Sequence, residues 1–173
     1  MALPISCVNH ISRNCSNLQE ASKFYECLLG FVQIKRPGSF DFDGVWLFNY
    51  GIGIHLLQAS GSKRSCHGEI DPRADHLSFQ CAEDINVVEQ KLQESGIKYI
   101  RRQVQEAGCF VDQLFFHDPD GFMIEVCNCD NLPVEPLVTG SLGISNSSSK
   151  QFFPSCSFTP FNSTVPSGLS LTT

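Results

Sequence analysis

No apolar run in the 173 residues approaches the ~20 needed for a membrane-spanning helix. Basic residues are scarce: 12 Lys and Arg stand against 18 Asp and Glu, for a formal charge of -6. With no basic stripe interleaved with aromatics, a nucleic-acid backbone would be repelled, so nucleic acid and membrane are both excluded as expected partners. Met1 to Pro4 carry neither the basic nor the apolar region of a secretory signal, and a cytoplasmic protein is expected. The close cysteine pairs lack C-x-x-C spacing: Asn128 alone separates Cys127 from Cys129. A zinc knuckle is therefore not expected, and the nine cysteines read as free thiols filling small spaces.

What is present is globular. Apolar residues make up 42% and charged residues 17%, values that allow one ordinary core. The composition changes after about Asn131. Residues 131–173 hold ten Ser, five Thr and five Pro but only two charged residues, Glu135 and Lys150. This stretch has no sustained period and is expected to be a flexible tail, although Phe152, Phe153, Phe158 and Phe161 offer apolar anchors.

Residues 4–130 read as one unit written twice, as modules 4–60 and 70–130. Asn9-His10-Ile11-Ser12 matches Asp75-His76-Leu77-Ser78, and Gly30-Phe31 matches Gly96-Ile97 at the same offset. Gly51-Ile52-Gly53-Ile54-His55-Leu56 then matches Gly121-Phe122-Met123-Ile124-Glu125-Val126 at an offset slightly longer, as a loop insertion would give. Strands are expected over Cys7 to Ile11, Val32 to Lys35, Gly44 to Tyr50 and Ile52 to Gln58. A helix follows the first strand: Ser16 or Asn17 caps it, Gln19 and Glu20 have capping-box spacing, and Gly30 stops it. The second unit repeats this with strands over His76 to Gln80, Tyr99 to Gln103, Gln113 to His117 and Phe122 to Cys127. Its helix runs from about Asp84 to Ser95. Asp118-Pro119-Asp120-Gly121 has the type I turn pattern that joins the last two strands as a hairpin. The fold class is α+β, two tandem βαβββ modules.

The repeat puts His10 and His76 on equivalent first strands, and His55 and Glu125 on equivalent last strands. Packing of the modules about a pseudo-two-fold axis would bring the four side chains toward one centre. Three imidazoles and a carboxylate suit one divalent ion, zinc, nickel, cobalt, iron or manganese, with positions left open. Glu125 lies in an apolar strand, where a carboxylate is costly unless paired or bound to metal. His67 and His117 have no symmetry support and read as exposed.

Two βαβββ units, the paired histidines, the Asp-Pro-Asp-Gly hairpin and the Ile124-Glu125 strand resemble the vicinal oxygen chelate superfamily, and glyoxalase I within it. The resemblance covers about Ile5 to Asn128. It implies U-shaped sheets around a metal that takes substrates through two adjacent oxygens. It also implies a homodimer, with the site built from modules of two subunits. Glu125 would be the base that moves a proton beside a carbonyl. Trp46, Phe48, Phe79 and Phe115 would be apolar walls that exclude water.

The sequence departs from glyoxalase I where glutathione is held. The position of His55 is normally a glutamate, Arg13 and Arg73 each stand one residue from the usual arginine positions, and Ala107 to Val111 lack the usual lysine. The leading expectation is thus a glutathione-independent lyase or isomerase of α-hydroxy carbonyl compounds, including cyclic α-hydroxyketones. The alternatives are a lactoylglutathione lyase that detoxifies methylglyoxal, with Arg13 and Arg73 on the tripeptide, and a small-molecule-binding protein without catalysis. An extradiol dioxygenase fits less well, because His55 would crowd its oxygen site.

Overall fold

The structure is a computed structural model and describes residues 3–61, 68–106 and 108–132. The expected tail, apart from Asn131 and Leu132, lies outside these residues, as do His67 and Ala107. Ten elements alternate as the repeat requires. The first module holds β1 (His10–Cys15), α1 (Leu18–Cys27), β2 (Val32–Ile34), β3 (Gly44–Asn49) and β4 (Ile52–Gln58). The second holds β5 (His76–Gln80), α2 (Ile85–Glu94), β6 (Tyr99–Glu106), β7 (Cys109–His117) and β8 (Met123–Cys127), followed by a 3-10 turn at Cys129–Asn131. Among the described residues no helix is long and apolar enough to cross a membrane.

Each module forms one four-stranded sheet, in the orders β1-β4-β3-β2 and β5-β8-β7-β6. In both, the first strand runs parallel to the last and the remaining pairs are antiparallel. The α helix carries the chain from the first strand to the far edge of the sheet, and the next two strands return it so that the last lies beside the first. Asn17 caps α1 by accepting from the amides of Gln19 and Glu20, and Asp84 caps α2 by accepting from Asn86. Gly30 and Gly96, at φ of 72° and 65°, take the left-handed turn that ends each helical segment. Helix α1 closes at Cys27, and Leu28 and Leu29 pack against the core from the turn after it.

In two places the strand boundaries differ from the sequence expectation by more than one residue. The first strand covers His10–Cys15 and not Cys7 to Ile11, because β4 pairs with it from His10↔Gly53 to Cys15↔Gln58. Its outward face, His10, Ser12 and Asn14, is polar and hides the strand signal. The β6–β7 hairpin is also longer than expected. Cys109 to Val111, read as loop, pair with Glu106 to Val104.

One face of each sheet packs into a shared core. Ile54, Leu56, Leu47 and Cys15 from the first sheet join Ile124, Val126, Leu114 and Phe116 from the second, with Ala21, Tyr25, Ile85 and Leu92 from the helices. The modules lock together at the Asp118-Gly121 turn. Its two aspartates are buried, where sequence reasoning saw only a hairpin turn. Asp118 accepts from the Tyr25 hydroxyl at 2.8 Å and from the amides of Asp120 and Phe122 at 2.9 and 2.8 Å. Asp120 accepts from the Ser16 amide at 2.8 Å. Burial, reinforced by Asp120 and Asp118, pushes the neighbouring Cys15 thiol up to about 12. His117 is half-buried at the end of β7, not exposed as expected. Cys127 and Cys129 are joined as a disulfide, which corrects the reading of all cysteines as free thiols. The turn after β8 brings their Cα atoms to 5.4 Å, inside the usual disulfide span.

Candidate metal centre

Strand register decides which side chains share the faces opposite the core. In the first sheet Ser12 and Trp46 flank His55 on neighbouring strands, and His10 and Phe48 flank Gly53. In the second, Ser78 and Phe115 flank Glu125, and His76 flanks Met123. The duplicated positions seen in sequence are thus equivalent in space: Ser12 with Ser78, Trp46 with Phe115, His55 with Glu125.

The four candidate ligands meet as two pairs. The rings of His10 and His55 stack with centroids 4.0 Å apart, and Trp46 covers the other face of His55 at 4.1 Å. Burial, with His10 as a second cause, holds the His55 imidazole below its usual pKa and favours its neutral, metal-binding form. Glycine at 53 makes this stack possible, since a Cβ there would lie 3.1 Å from the His10 Cβ and 3.5 Å from His55 Nε2. In the other sheet His76 Nε2 lies 3.2 Å from a carboxylate oxygen of Glu125, and the Phe115 ring meets His76 edge-on at 5.5 Å. Glu125 is buried at 4% exposure, and its second oxygen accepts from Gln113 Nε2 at 2.5 Å. Within the described residues of one chain the four ligands do not gather into a single cluster. The expectation that module packing alone would centre them is therefore corrected: the shared core lies on the opposite faces of the sheets.

The far nitrogen of both first-strand histidines is already engaged. His10 Nδ1 is 2.7 Å from the side-chain oxygen of Asn9, and His76 Nδ1 is 2.7 Å from the Ala74 carbonyl. Both oxygens only accept, so each Nδ1 carries a proton and Nε2 is the ring nitrogen turned to the outward face. For His76, Nε2 faces a carboxylate oxygen at 3.2 Å. A proton or a cation can bridge the two atoms at that distance. The donor set fits a divalent ion.

A sequence profile of the Glyoxalase/Bleomycin resistance protein/Dioxygenase superfamily matches residues 8–126, which contain both half-sites. The chain belongs to this superfamily. It is 55% identical over 137 residues to the Arabidopsis thaliana protein named Glyoxylase I 4, a match spanning 79% of this chain and 78% of that relative. A glyoxalase/dioxygenase from Nostoc punctiforme superposes with a TM-score of 0.59 at 21% identity, covering 73% of this chain and 94% of the other. The fosfomycin resistance protein FosX from Listeria monocytogenes gives 0.57 at 16% identity, covering 72% and 92%. These structures share the superfamily fold.

Several expected substrate contacts of this superfamily member are displaced. Arg13 is on the core face of β1, between Ser12 and Asn14, and its guanidinium stacks over Phe122 at 4.6 Å. Arg73 pairs with Asp71 on the surface through Nε at 3.0 Å. Phe79 pairs in register with Val126 and packs against Phe31 and Tyr50 in the core, so it is not a cleft wall. Trp46, Phe48 and Phe115 do share the faces of the candidate ligands. Beyond Trp46 the apolar surface continues: Phe40 meets Trp46 at 5.6 Å and Phe42 at 5.3 Å, with Arg36 over both phenylalanine rings at 4.9 Å. Sequence reasoning missed this group because it sits in a loop without periodicity. It also missed Gln113, although counting back from the hairpin turn places Gln113 on the same face as Glu125, one pair away.

Proposed function

We propose that the chain is a glyoxalase-I-type lyase or isomerase that moves a proton beside the carbonyl of α-hydroxy carbonyl substrates and does not need glutathione. The observation that carries the reading is the His76–Glu125 contact. His76 Nε2 and a buried carboxylate oxygen of Glu125, 3.2 Å apart, would form half of a cation site. His10, His55, His76 and Glu125 would hold the ion. Once bound, a divalent ion polarises the two neighbouring oxygens of the substrate and acidifies the C–H between them. Glu125 takes that proton and returns it to the adjacent carbon. Gln113 donates to one oxygen of Glu125, and the other faces His76 Nε2. Trp46, Phe48 and Phe115 keep water from the reacting carbons.

Two features support glutathione independence. Of the arginines that would grip the tripeptide, Arg13 lies on the core face with its guanidinium over Phe122, and Arg73 pairs with Asp71 on the surface. The surface running from Trp46 to Phe40 and Phe42 is aromatic, with the Arg36 guanidinium over both phenylalanine rings, and is suited to a cyclic α-hydroxyketone.

The separation of the ligands into two outward pairs favours a homodimer in which the His10–His55 pair of one subunit meets the His76–Glu125 pair of the other. Subunit mixing tests this. His10→Ala and Glu125→Gln proteins, each inactive alone, should regain activity when unfolded and refolded together, since one of the two shared sites then carries neither substitution. No recovery in a verified heterodimer would place each site within one chain.

A further inference from the structure

Strand β8 ends at Cys127, and the chain turns at once into the 3-10 segment that starts at Cys129. This turn is held from both sides by bonds that do not involve sulfur. The Cys81 amide donates to the Cys127 carbonyl at 2.7 Å, and the Asn128 side chain accepts from the Asp112 amide at 2.8 Å. Gln80 and Asp130 exchange two hydrogen bonds at 2.7 and 3.0 Å. The two sulfurs therefore stay neighbours whether or not they are bonded. The ring that the disulfide closes is among the smallest possible, so it constrains the unfolded chain least and is a poor staple for the fold. Cys127 is buried while Cys129 is half-exposed, so one sulfur is open to exchange.

Glu125 points to the same face of β8 two residues earlier. Its carboxylate and the two sulfurs lie within 4.8 Å of one another, and they form the group of candidate metal donors present among the described residues. The Ser78 hydroxyl stands 3.6 Å from the Cys127 sulfur. Two soft sulfurs and one carboxylate, open on the Cys129 side, make a three-ligand set for a zinc-like ion.

We propose that Cys127 and Cys129, when reduced, form with Glu125 a binding site for a thiophilic divalent cation, and that their disulfide closes it. Opening needs a low-molecular-weight dithiol. Its thiolate attacks the Cys129 sulfur, the S–S bond breaks, and Cys127 departs as a thiolate. The second thiol of the reductant then displaces Cys129 and leaves as a cyclic disulfide, so two electrons and two protons pass to the protein sulfurs. A low-molecular-weight disulfide reverses the exchange. The reduced site competes with His76 for Glu125, so redox state sets whether that carboxylate serves the candidate metal centre. That last consequence rests on the reading of Glu125 under the proposed function; the sulfur site itself does not.

Cobalt(II) is the probe, added to metal-free full-length protein after reduction by a dithiol and anaerobic desalting. Thiolate-to-cobalt charge-transfer absorption should appear in the reduced protein and be absent from the disulfide form. It should disappear in Cys127→Ser and in Cys129→Ser, and persist in a His10→Ala/His55→Ala double variant. The half-exposed Cys129 is the variant least able to disturb folding, and a thermal melt verifies it. Peptide mapping of the oxidised protein should find the 127–129 bond. An unchanged band in either serine variant, no band after reduction, or both cysteines alkylated in the oxidised protein would overturn the proposal. A persistent band in a protein without proton-transfer activity would instead count against the proposed function alone.

Discussion

Replacing Tyr25 by Phe removes one buried oxygen and tests how the second module is anchored to the first. Tyr25 is fully buried, and its ring packs edge-on against Phe24 and Phe31, contacts that phenylalanine keeps. Its hydroxyl donates to one Asp118 oxygen at 2.8 Å, while the amides of Asp120 and Phe122 serve the other oxygen. Without the hydroxyl, a carboxylate oxygen in the core loses the donor from the first module. A hydrogen bond to a charged group contributes about 1.5–3 kcal/mol, so we expect a destabilisation of about 2 kcal/mol. For a chain of this size that lowers Tm by roughly 4–8 °C. Urea and thermal unfolding of Tyr25→Phe, Asp118→Asn and the double variant measure it, and the double-mutant cycle isolates the pair. A loss below about 0.5 kcal/mol in Tyr25→Phe, on the scale of an ordinary surface change, would refute the assignment of the turn as the inter-module anchor.

Other outcomes follow from the same contacts. Burial raises the Asp118 carboxyl above its ordinary 3.8, so the folded state holds that proton longer than the unfolded chain does. Stability contributed by this group is present below that ordinary value and lost as pH rises through the folded pKa; Asp118→Asn should remove this slope from a pH series of unfolding curves. Gln113→Leu keeps the bulk and deletes the donor to Glu125, and should lower kcat about 10-fold with Tm changed by only a few degrees, read by steady-state kinetics and a thermal melt. Gly53→Ala introduces a Cβ 3.1 Å from that of His10 and should weaken metal binding about 10-fold or more by calorimetry, because the His10–His55 stack must separate.

Much of this architecture is written in the repeat. The equivalence of His10 with His76 and of His55 with Glu125 survives into the register of the two sheets, because a duplicated strand keeps its pairing partner and its parity. Parity separates His10 from Ile11 on β1. Applied one step further, it would have turned Arg13 to the core face with Ile11 and Cys15, and Phe79 to the core with Leu77. Resemblance to a glutathione-binding pattern points Arg13 toward the cleft instead, and the expected apolar wall points Phe79 there. How the modules pack was not legible. Nothing local in Asp118-Pro119-Asp120-Gly121 distinguishes an exposed turn from one whose aspartates are buried on Tyr25 and Ser16, contacts that span 93 and 104 residues. The Cys127–Cys129 bond was hidden for a related reason. The spacing alone is unremarkable, and the 3-10 turn that makes it reachable is held by Gln80, Cys81 and Asp112 from distant strands.

The central claim is that Glu125 carries a proton beside a carbonyl at a metal held by three histidines. Its most direct test is deuterium exchange at the α-carbon of a cyclic α-hydroxyketone, followed by NMR in heavy water. Wild type loaded with nickel, cobalt or zinc and free of glutathione should exchange, and Glu125→Gln, with its fold verified by thermal melt, should slow exchange at least 100-fold. Exchange that is equally fast in Glu125→Gln, or that appears only when glutathione is added, would contradict the account.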